Sequence, residues 1–214
     1  LKCMNLNKDD QLLQVALTDT NQAIVLTSSL GYVSLYSEDE ISILGLKAAG
    51  IKAMNLKDDY LVAMNTFDPV HSYSYVLISD QPGIKRMRIS DIPSCNRATK
   101  GTSIFKSPKT NPIHALDAFV LDTQDQLIIE SEQKKENLYI KDYSLSQIGQ
   151  KPSVIQSMKN ETIMHVYDHH SLSTDLYISN QDEKVEKSQP LETTSQQDKH
   201  FEPISFDDLF KEDF

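Results

Sequence analysis

A repeat with a period of 51 residues limits the folds open to this chain. A strand-like run followed by a short acidic and apolar turn occurs three times. The same point of this pattern falls at Ile41, at Ile92 and at Tyr143. Each copy continues into a loop that carries Gly and Lys and then into another strand-like run. A period of about 40–50 residues with roughly four strands in each copy is typical of propeller-like blades.

Within each copy the apolar residues follow the twofold period of β-strands. Apolar residues alternate at 12–17 and at 60–64, and residues 23–26 form a short, partly β-branched run of the kind found in buried strands. Turn-forming residues recur about every 10 residues between these segments. The sequence therefore predicts an all-β fold, with a short helical turn at Asp39–Ile41.

The repeats divide the chain into two predicted regions. Residues 1–178 hold three copies and a fraction, with a further strand set over residues 2–27. A closed ring needs about four to eight blades, so we expect earlier blades upstream of Leu1. Residues 179–214 are polar and acidic and predict a disordered tail. A capping pattern at Ser205 and an apolar stripe of Phe206, Leu209 and Phe210 predict a short helix at 205–214 that forms only when the segment docks, with a plain disordered acidic tail as the alternative.

Charge is distributed unevenly along the chain. The formal net charge is −10, and residues 171–214 hold eleven acids and four bases, which gives −7. Residues 81–110 hold seven bases against the single acid Asp91, which gives +6. A basic region in an acidic chain is expected where a polyanion binds, although a solvated charged face gives the same pattern.

Other chemistries have little support in the sequence. Two cysteines cannot build a disulfide framework, which indicates a cytosolic chain. Cys95 is interpreted as a plain surface or half-buried thiol rather than as a thiolate stabilised by the nearby Arg97 and Lys100. No apolar run reaches the roughly 18 residues of a membrane span. Residues 165–170 contain three histidines and an aspartate, but the pattern favours a strand ending in a polar turn over a zinc site. No metal site is predicted.

The first copy carries a family resemblance. The residues that carry it are Gly31-Tyr32-Val33, Ser37 to Ile41, and the stretch from Gly45 through Lys47-Ala48-Ala49-Gly50-Ile51-Lys52 to Asp59. These residues resemble a blade from the C-terminal domain of bacterial type IIA topoisomerase A subunits, the subunits of DNA gyrase and topoisomerase IV. The resemblance is strongest over residues 1–66, is looser over 67–178 and does not extend to the tail. It implies a β-pinwheel, a propeller-like ring with strand exchange between blades, whose basic rim bends duplex DNA. Gyrase carries a Gln-Arg-Arg-Gly-Gly-Lys-Gly type box that these loops lack, which favours the topoisomerase IV branch over gyrase.

The resemblance also implies where DNA is bound. Bases in the loops between strands would neutralise phosphates along a curved path. The first loop offers Lys47 and Lys52, the second Arg97 and Lys100, and the third Lys151. The basic region of the second copy adds Lys85, Arg86, Arg88, Lys106 and Lys109.

Catalysis is not expected in this chain. The cleavage tyrosine of the family follows an arginine, whereas none of the nine tyrosines here does. The resemblance implies a parent A-subunit dimer that works with a B subunit, uses ATP and Mg²⁺ outside this chain, and acts on the chromosome in the cytoplasm. A propeller-like protein-interaction module is the alternative from another class.

Overall fold

The computed structural model describes residues 6, 8, 10–45 and 48–168, so Lys47 and the predicted tail lie outside the described residues. Within these ranges the chain forms β-strands and four single turns of 3-10 helix. The strands are β1 (Ala23–Ser28), β2 (Tyr32–Ser37), β3 (Leu61–Phe67), β4 (Ser74–Ser79), β5 (Gly83–Arg88), β6 (Thr102–Ser103), β7 (Ala115–Leu121), β8 (Gln126–Ser131), β9 (Lys135–Tyr139), β10 (Ser153–Val154) and β11 (Ile163–Asp168).

The strands form three antiparallel sheets, one for each sequence repeat. The first has the order β3-β1-β2-β6, the second β10-β5-β4-β7, and the third, among the described residues, β11-β8-β9. Each sheet is built on a tight hairpin, β1–β2, β4–β5 or β8–β9, and a later strand, β3, β7 or β11, returns to pair with the first strand of that hairpin. The predicted all-β fold with about four strands per blade is confirmed.

The outer strand of the first two sheets is supplied by the following repeat. β6 lies after the β4–β5 hairpin in sequence but pairs with β2, with Tyr32 opposite Ser103. β10 lies after the β8–β9 hairpin but pairs with β5, with Ser153 opposite Ile84. Consecutive sheets are therefore interlocked by the backbone as well as by side-chain packing.

The 51-residue period is visible in the 3-10 turns. These turns span Glu38–Glu40, Ile89–Asp91 and Ile140–Asp142, and each directly follows the second strand of a hairpin. The backbone N–H groups of Ile41, Ile92 and Tyr143 close them by donating to the carbonyls of Glu38, Ile89 and Ile140. The predicted short helical turn is therefore real, and it recurs once in every repeat.

Two apolar clusters fill the junctions between neighbouring sheets. Alternate residues of β4 point to opposite faces, so Tyr75 and Leu77 pack in one cluster while Val76 and Ile78 pack in the other. β4 is buried along its whole length, which explains its unbroken apolar run. The hydroxyl oxygens of Tyr75 and Thr27 lie 2.8 Å apart and satisfy each other inside the first junction.

One predicted strand is absent. Residues 12–17 alternate like a strand, but in the structure they form no strand and expose Leu12, Leu13, Val15 and Leu17, the last of these 96% exposed. Alternation supplies one apolar face, whereas a strand also needs a neighbouring backbone, and none of the described residues pairs with this segment.

Residues 163–168 confirm the strand interpretation of the histidine-containing segment. β11 spans Ile163–Asp168. Among the described residues no group of three His, Cys, Asp or Glu side chains could hold a metal ion. His169 and His170 lie outside the described residues. None of the helical turns in the described part of the chain is long and apolar enough to cross a membrane.

Candidate functional site

Loops from successive repeats meet beside the exchanged strands. We call residues 52–55, 97–106 and 146–151 the rim band. The N–H of Asn55 donates to the carbonyl of Thr99, and the N–H of Ala98 donates to the carbonyl of Ala53, both at 2.8 Å. The N–H of Gly149 donates to the carbonyl of Ile104 at 2.9 Å. These bonds join three loops into one continuous backbone feature.

Gly101 allows the rim band to approach the first sheet closely. It has a φ of +77°, and a Cβ atom built there would lie 2.3 Å from the carbonyl oxygen of Val33. Only glycine fits both the left-handed conformation and this contact. The exchanged strand β6 begins at the next residue, so Gly101 sets the path by which the loop enters the sheet.

The rim band lies in stretches of sequence that contain no acid. Residues 41–57, 92–116 and 143–160 hold neither Asp nor Glu, although the chain has 31 acids in total. The same stretches hold nine bases: Lys47, Lys52, Lys57, Arg97, Lys100, Lys106, Lys109, Lys151 and Lys159. Positive charge therefore collects on these loops even though the chain as a whole is acidic.

Lys100 and Lys151 occupy equivalent positions in consecutive repeats. They are 51 residues apart, and each lies just before an exchanged strand, β6 or β10. Both side chains are exposed. The ammonium of Lys100 lies 3.8 Å from the centroid of the Tyr32 ring, a cation–π contact that orients it without neutralising it. Tyr32 therefore helps to position a predicted DNA-binding lysine, and because Tyr32 is uncharged, a count of charged residues in the sequence does not find it.

The other predicted bases in and beside the rim band differ in exposure and in the hydrogen bonds that they make. Lys52, Lys106 and Lys109 are exposed, and Lys52 Nζ donates to Asn55 Oδ1 at 2.9 Å. Arg97 is half-buried, and its guanidinium donates to the carbonyls of Glu40 and Lys52. Arg97 therefore fastens the first loop to the second, and much of its hydrogen-bonding capacity is used within the protein.

Lys85 faces the protein interior. Its residue is 1% exposed, and Nζ donates to the carbonyls of Gln147 and Gln150 at 2.7 and 3.0 Å and to Ser146 Oγ at 3.1 Å. Burial lowers the pKa of Lys85 from 10.5 to about 8. A phosphate contact by Lys85 is at odds with this burial. Its observed partners belong to the third loop of the rim band.

Arg86 and Arg88 lie at the end of β5, outside the rim band. The Arg86 guanidinium donates to Ser74 Oγ, the carbonyl of Tyr143 and Thr123 Oγ1, at 3.1, 2.9 and 3.2 Å. Arg88 is exposed. Both arginines line a cavity whose lining residues include none of the rim band.

Cys95 is half-buried, as predicted. Its Sγ lies 3.1 Å from Ser34 Oγ, and its N–H donates to the carbonyl of Leu35 at 2.8 Å. These contacts fix the segment before Arg97 against β2. The cysteine therefore has a structural place in the fold.

Hairpin-based antiparallel sheets, the first two of which are completed by a strand from the next repeat, define a propeller-type protein of the β-pinwheel kind. The family model described as the DNA gyrase C-terminal domain, β-propeller, matches residues 22–68 and 74–111. The chain belongs to this family of C-terminal propeller domains, which the A subunits of DNA gyrase and topoisomerase IV share.

Curated relatives at the sequence level are A subunits of topoisomerase 4. The chain is 32% identical over 133 residues to the subunit of Bacillus subtilis (strain 168), which covers 62% of this chain and 16% of the relative. It is 30% identical over 145 residues to that of Staphylococcus epidermidis (strain ATCC 12228 / FDA PCI 1200), covering 67% of this chain and 18% of the relative. The chain thus spans about a sixth of the length of these relatives.

Solved structures give the same result. The C-terminal domain of DNA topoisomerase IV superposes with a TM-score of 0.71 at 28% identity, covering 78% of this chain and 52% of that one. A DNA gyrase A C-terminal domain superposes with a TM-score of 0.64 at 18% identity, covering 78% of this chain and 57% of that one, and shows the fold alone. The predicted family and the predicted fold are confirmed.

Proposed function

We propose that this chain binds and bends duplex DNA through the rim band. The observation that carries the proposal is the acid-free, basic band that inter-repeat hydrogen bonds make continuous across three loops. The bases we expect to contact phosphates are Lys52, Lys100, Lys106 and Lys151 of the rim band, together with Lys109, which lies three residues beyond it. Lys47, which lies outside the described residues, stays a prediction.

The binding mechanism follows from the chemistry of lysine and phosphate. Each ammonium that neutralises a phosphate releases condensed counterions, so affinity falls as salt rises. Phosphate contacts fix the position of a duplex without reading its sequence. Bending a site of about 20–30 bp costs on the order of 1–6 kcal/mol, which added phosphate contacts offset. Arg97 and Lys85 act in this mechanism by holding the loops.

The parent protein is proposed to be a topoisomerase IV A subunit. In that setting this chain is not catalytic by itself, and it supports ATP-dependent relaxation and decatenation by presenting bent DNA to the enzyme. The A-subunit dimer, the B subunit, and ATP and Mg²⁺ bound elsewhere supply the remaining chemistry. A cytoplasmic, chromosome-associated location follows from this role.

The test is the salt dependence of duplex binding by a double variant. Replacing Lys100 and Lys151 with Gln removes two equivalent exposed charges without touching the fold contacts of Arg97 or Lys85. The slope of log affinity against log salt should become shallower by about 1.8, which is 0.9 for each lost phosphate contact. Fluorescence anisotropy with a labelled 30-bp duplex gives this slope directly.

A matched double variant provides the control. Lys135→Gln with Lys141→Gln also removes two exposed charges, but both lie on or next to β9, outside the rim band. This control should keep the slope of the wild-type chain. Equal slopes for all three proteins would contradict the assignment of the rim band to DNA. A wild-type chain with no duplex affinity at low salt would instead favour the protein-interaction alternative.

A further inference from the structure

A cavity of about 600 Å³ opens between the first and second sheets, and none of its described lining residues belongs to the rim band. Its walls come from the start of β1, the end of β2, the end of β5 and the connection between β3 and β4. This volume lies within the range of about 300–1,000 Å³ that is usual for sites that enclose small ligands.

The cavity is a local feature of this junction and does not follow from the repeat. The β3–β4 connection has six residues, Asp68–Tyr73, and five of them line the cavity. The equivalent β7–β8 connection in the next repeat has only four, Asp122–Asp125. The β3–β4 connection, which is two residues longer, therefore builds one wall of the cavity at this junction.

The charge of the lining differs from that of the chain. The described residues that line the cavity include Arg86, Arg88 and His71 but no Asp or Glu, in a chain of net charge −10. Arg86 is fixed by three hydrogen bonds, whereas Arg88 is exposed. Asp68 is not among the lining residues, and its carboxylate lies 3.5 Å from His71 Nε2. The cavity therefore favours an anionic group beside Arg88.

The rest of the lining mixes apolar and aromatic side chains with polar ones, among them Asn21, Gln22, Ser74 and Thr123. Phe67 and Tyr73 pack edge to face at 5.8 Å between ring centroids, and Leu145 and Val70 also line the cavity. Val70 is 85% exposed, so its side chain is open to contact by an occupant of the cavity. An occupant should therefore carry an apolar or aromatic body next to its negative charge.

We propose that this cavity binds a peptide segment of a partner protein in which an acidic residue adjoins an aromatic or aliphatic one. The carboxylate pairs with Arg88, and the apolar side chain packs against Phe67, Tyr73 and Val70. Duplex DNA does not match this site, because its bases are stacked inside the helix and cannot enter a concave pocket without being unstacked. The site is thus distinct from the rim band in both position and chemistry.

Isothermal titration of the full chain with the peptide acetyl-Glu-Phe-Asp-Leu-amide tests the proposal. Arg88→Gln should weaken binding about tenfold, since it removes a charge-assisted hydrogen bond. Val70→Asp should weaken binding at least as much, because it places a like charge beside the carboxylate. The neutral peptide acetyl-Gln-Phe-Asn-Leu-amide should bind the wild-type chain about tenfold more weakly than the acidic one.

Two controls separate this site from the rim band. Lys109→Gln removes an exposed charge outside the cavity, and the Lys100→Gln, Lys151→Gln double variant removes two from the rim band. Both should bind the acidic peptide like the wild-type chain.

Several results would overturn the proposal. These are an affinity loss in either control, unchanged affinity in both Arg88→Gln and Val70→Asp, equal binding of the two peptides, and no binding by the wild-type chain at millimolar peptide. Displacement of the peptide by a lower concentration of deoxyadenosine monophosphate would assign the cavity to nucleotides and would also overturn it.

Discussion

At the residue scale, the same side-chain type has different roles depending on what covers it. Lys100 and Lys85 belong to the same basic region of the sequence. Lys100 is exposed beside Tyr32, whereas Lys85 is covered by residues 146–150 of the next repeat. Charge counting finds both lysines, but the cover over Lys85 comes from about 60 residues further along the chain. Sequence patterns cannot assign such a contact without the fold.

Lys85 should make stability rise with pH in the alkaline range. Its pKa is about 8 in the folded chain and 10.5 in the unfolded chain, so between these values the unfolded state binds more protons. The free energy of unfolding therefore increases as pH rises from 8 to 10.5, by at most about 3 kcal/mol. Urea denaturation at pH 7.5 and pH 10 should show that Lys85→Met loses this increase. Lys141→Met, at an exposed lysine, should keep it, and parallel pH profiles for all three proteins would contradict the burial of the Lys85 charge.

Asp117 should make stability fall as pH rises through the acidic range, the opposite of the effect of Lys85 at alkaline pH. Burial, reinforced by the Asp168 carboxylate, raises the pKa of Asp117 from 3.8 to about 7, and the hydrogen bond from the N–H of Ala118 only partly opposes this. Between these pH values the folded state holds a proton that the unfolded state has lost, so stability falls as pH rises. Asp117→Asn should therefore stabilise the chain at pH 8, by at most about 4 kcal/mol, and have little effect at pH 4. Thermal unfolding at both pH values measures this, with the exposed Asp58→Asn as control. A gain of equal size at both pH values would show that the charge of Asp117 is not the cause.

At the element scale, the exchanged strand β6 depends on the glycine before it. Gly101→Ala forces a Cβ atom to within 2.3 Å of the Val33 carbonyl oxygen on β2, at a residue with φ of +77°. Gly50→Ala is the matched control, because Gly50 has a φ of +83° but no atom within 4 Å of the added Cβ. Gly50→Ala should cost about 1–2 kcal/mol of unfolding free energy from backbone strain alone. Gly101→Ala should cost clearly more unfolding free energy and should speed the hydrogen exchange of backbone amides in β6 and β2. Equal costs for the two variants would mean that pairing of β6 with β2 does not stabilise the first sheet.

The elements differ in how far sequence alone predicts them. The hairpins and the 3-10 turns are local, so alternation, turn residues and the 51-residue period predict them well. β6 and β10 are only two residues long. The sequence predicts a strand-like run after each loop that carries Gly and Lys, but it does not predict the distant strand with which that run pairs. Residues 12–17 show the reverse case, a strand pattern without a paired neighbour among the described residues. Pairing between distant segments is the part that sequence patterns leave out.

At the scale of the whole molecule, an acidic chain can bind a polyanion because its charges are segregated. The net charge is −10, yet three stretches of the chain contain no acid at all, and the fold joins loops from these stretches in the rim band. Local potential rather than net charge decides where a charged partner binds. The sequence predicts the basic residues, whereas the continuity of the band depends on hydrogen bonds between repeats that only the fold reveals.

The total salt dependence of duplex binding is the whole-molecule prediction. Five exposed lysines are proposed to contact phosphates, which gives a slope of about −4.5 for log affinity against log salt. Affinity should therefore fall about 500-fold between 50 and 200 mM salt. It should fall equally for duplexes of different sequence, because phosphate contacts carry no base information. Anisotropy titrations of the full chain with two unrelated 30-bp duplexes measure both properties. A slope shallower than about −2 would mean that fewer than three of these lysines reach the DNA, and a strong sequence preference would mean that base contacts outside this scheme contribute.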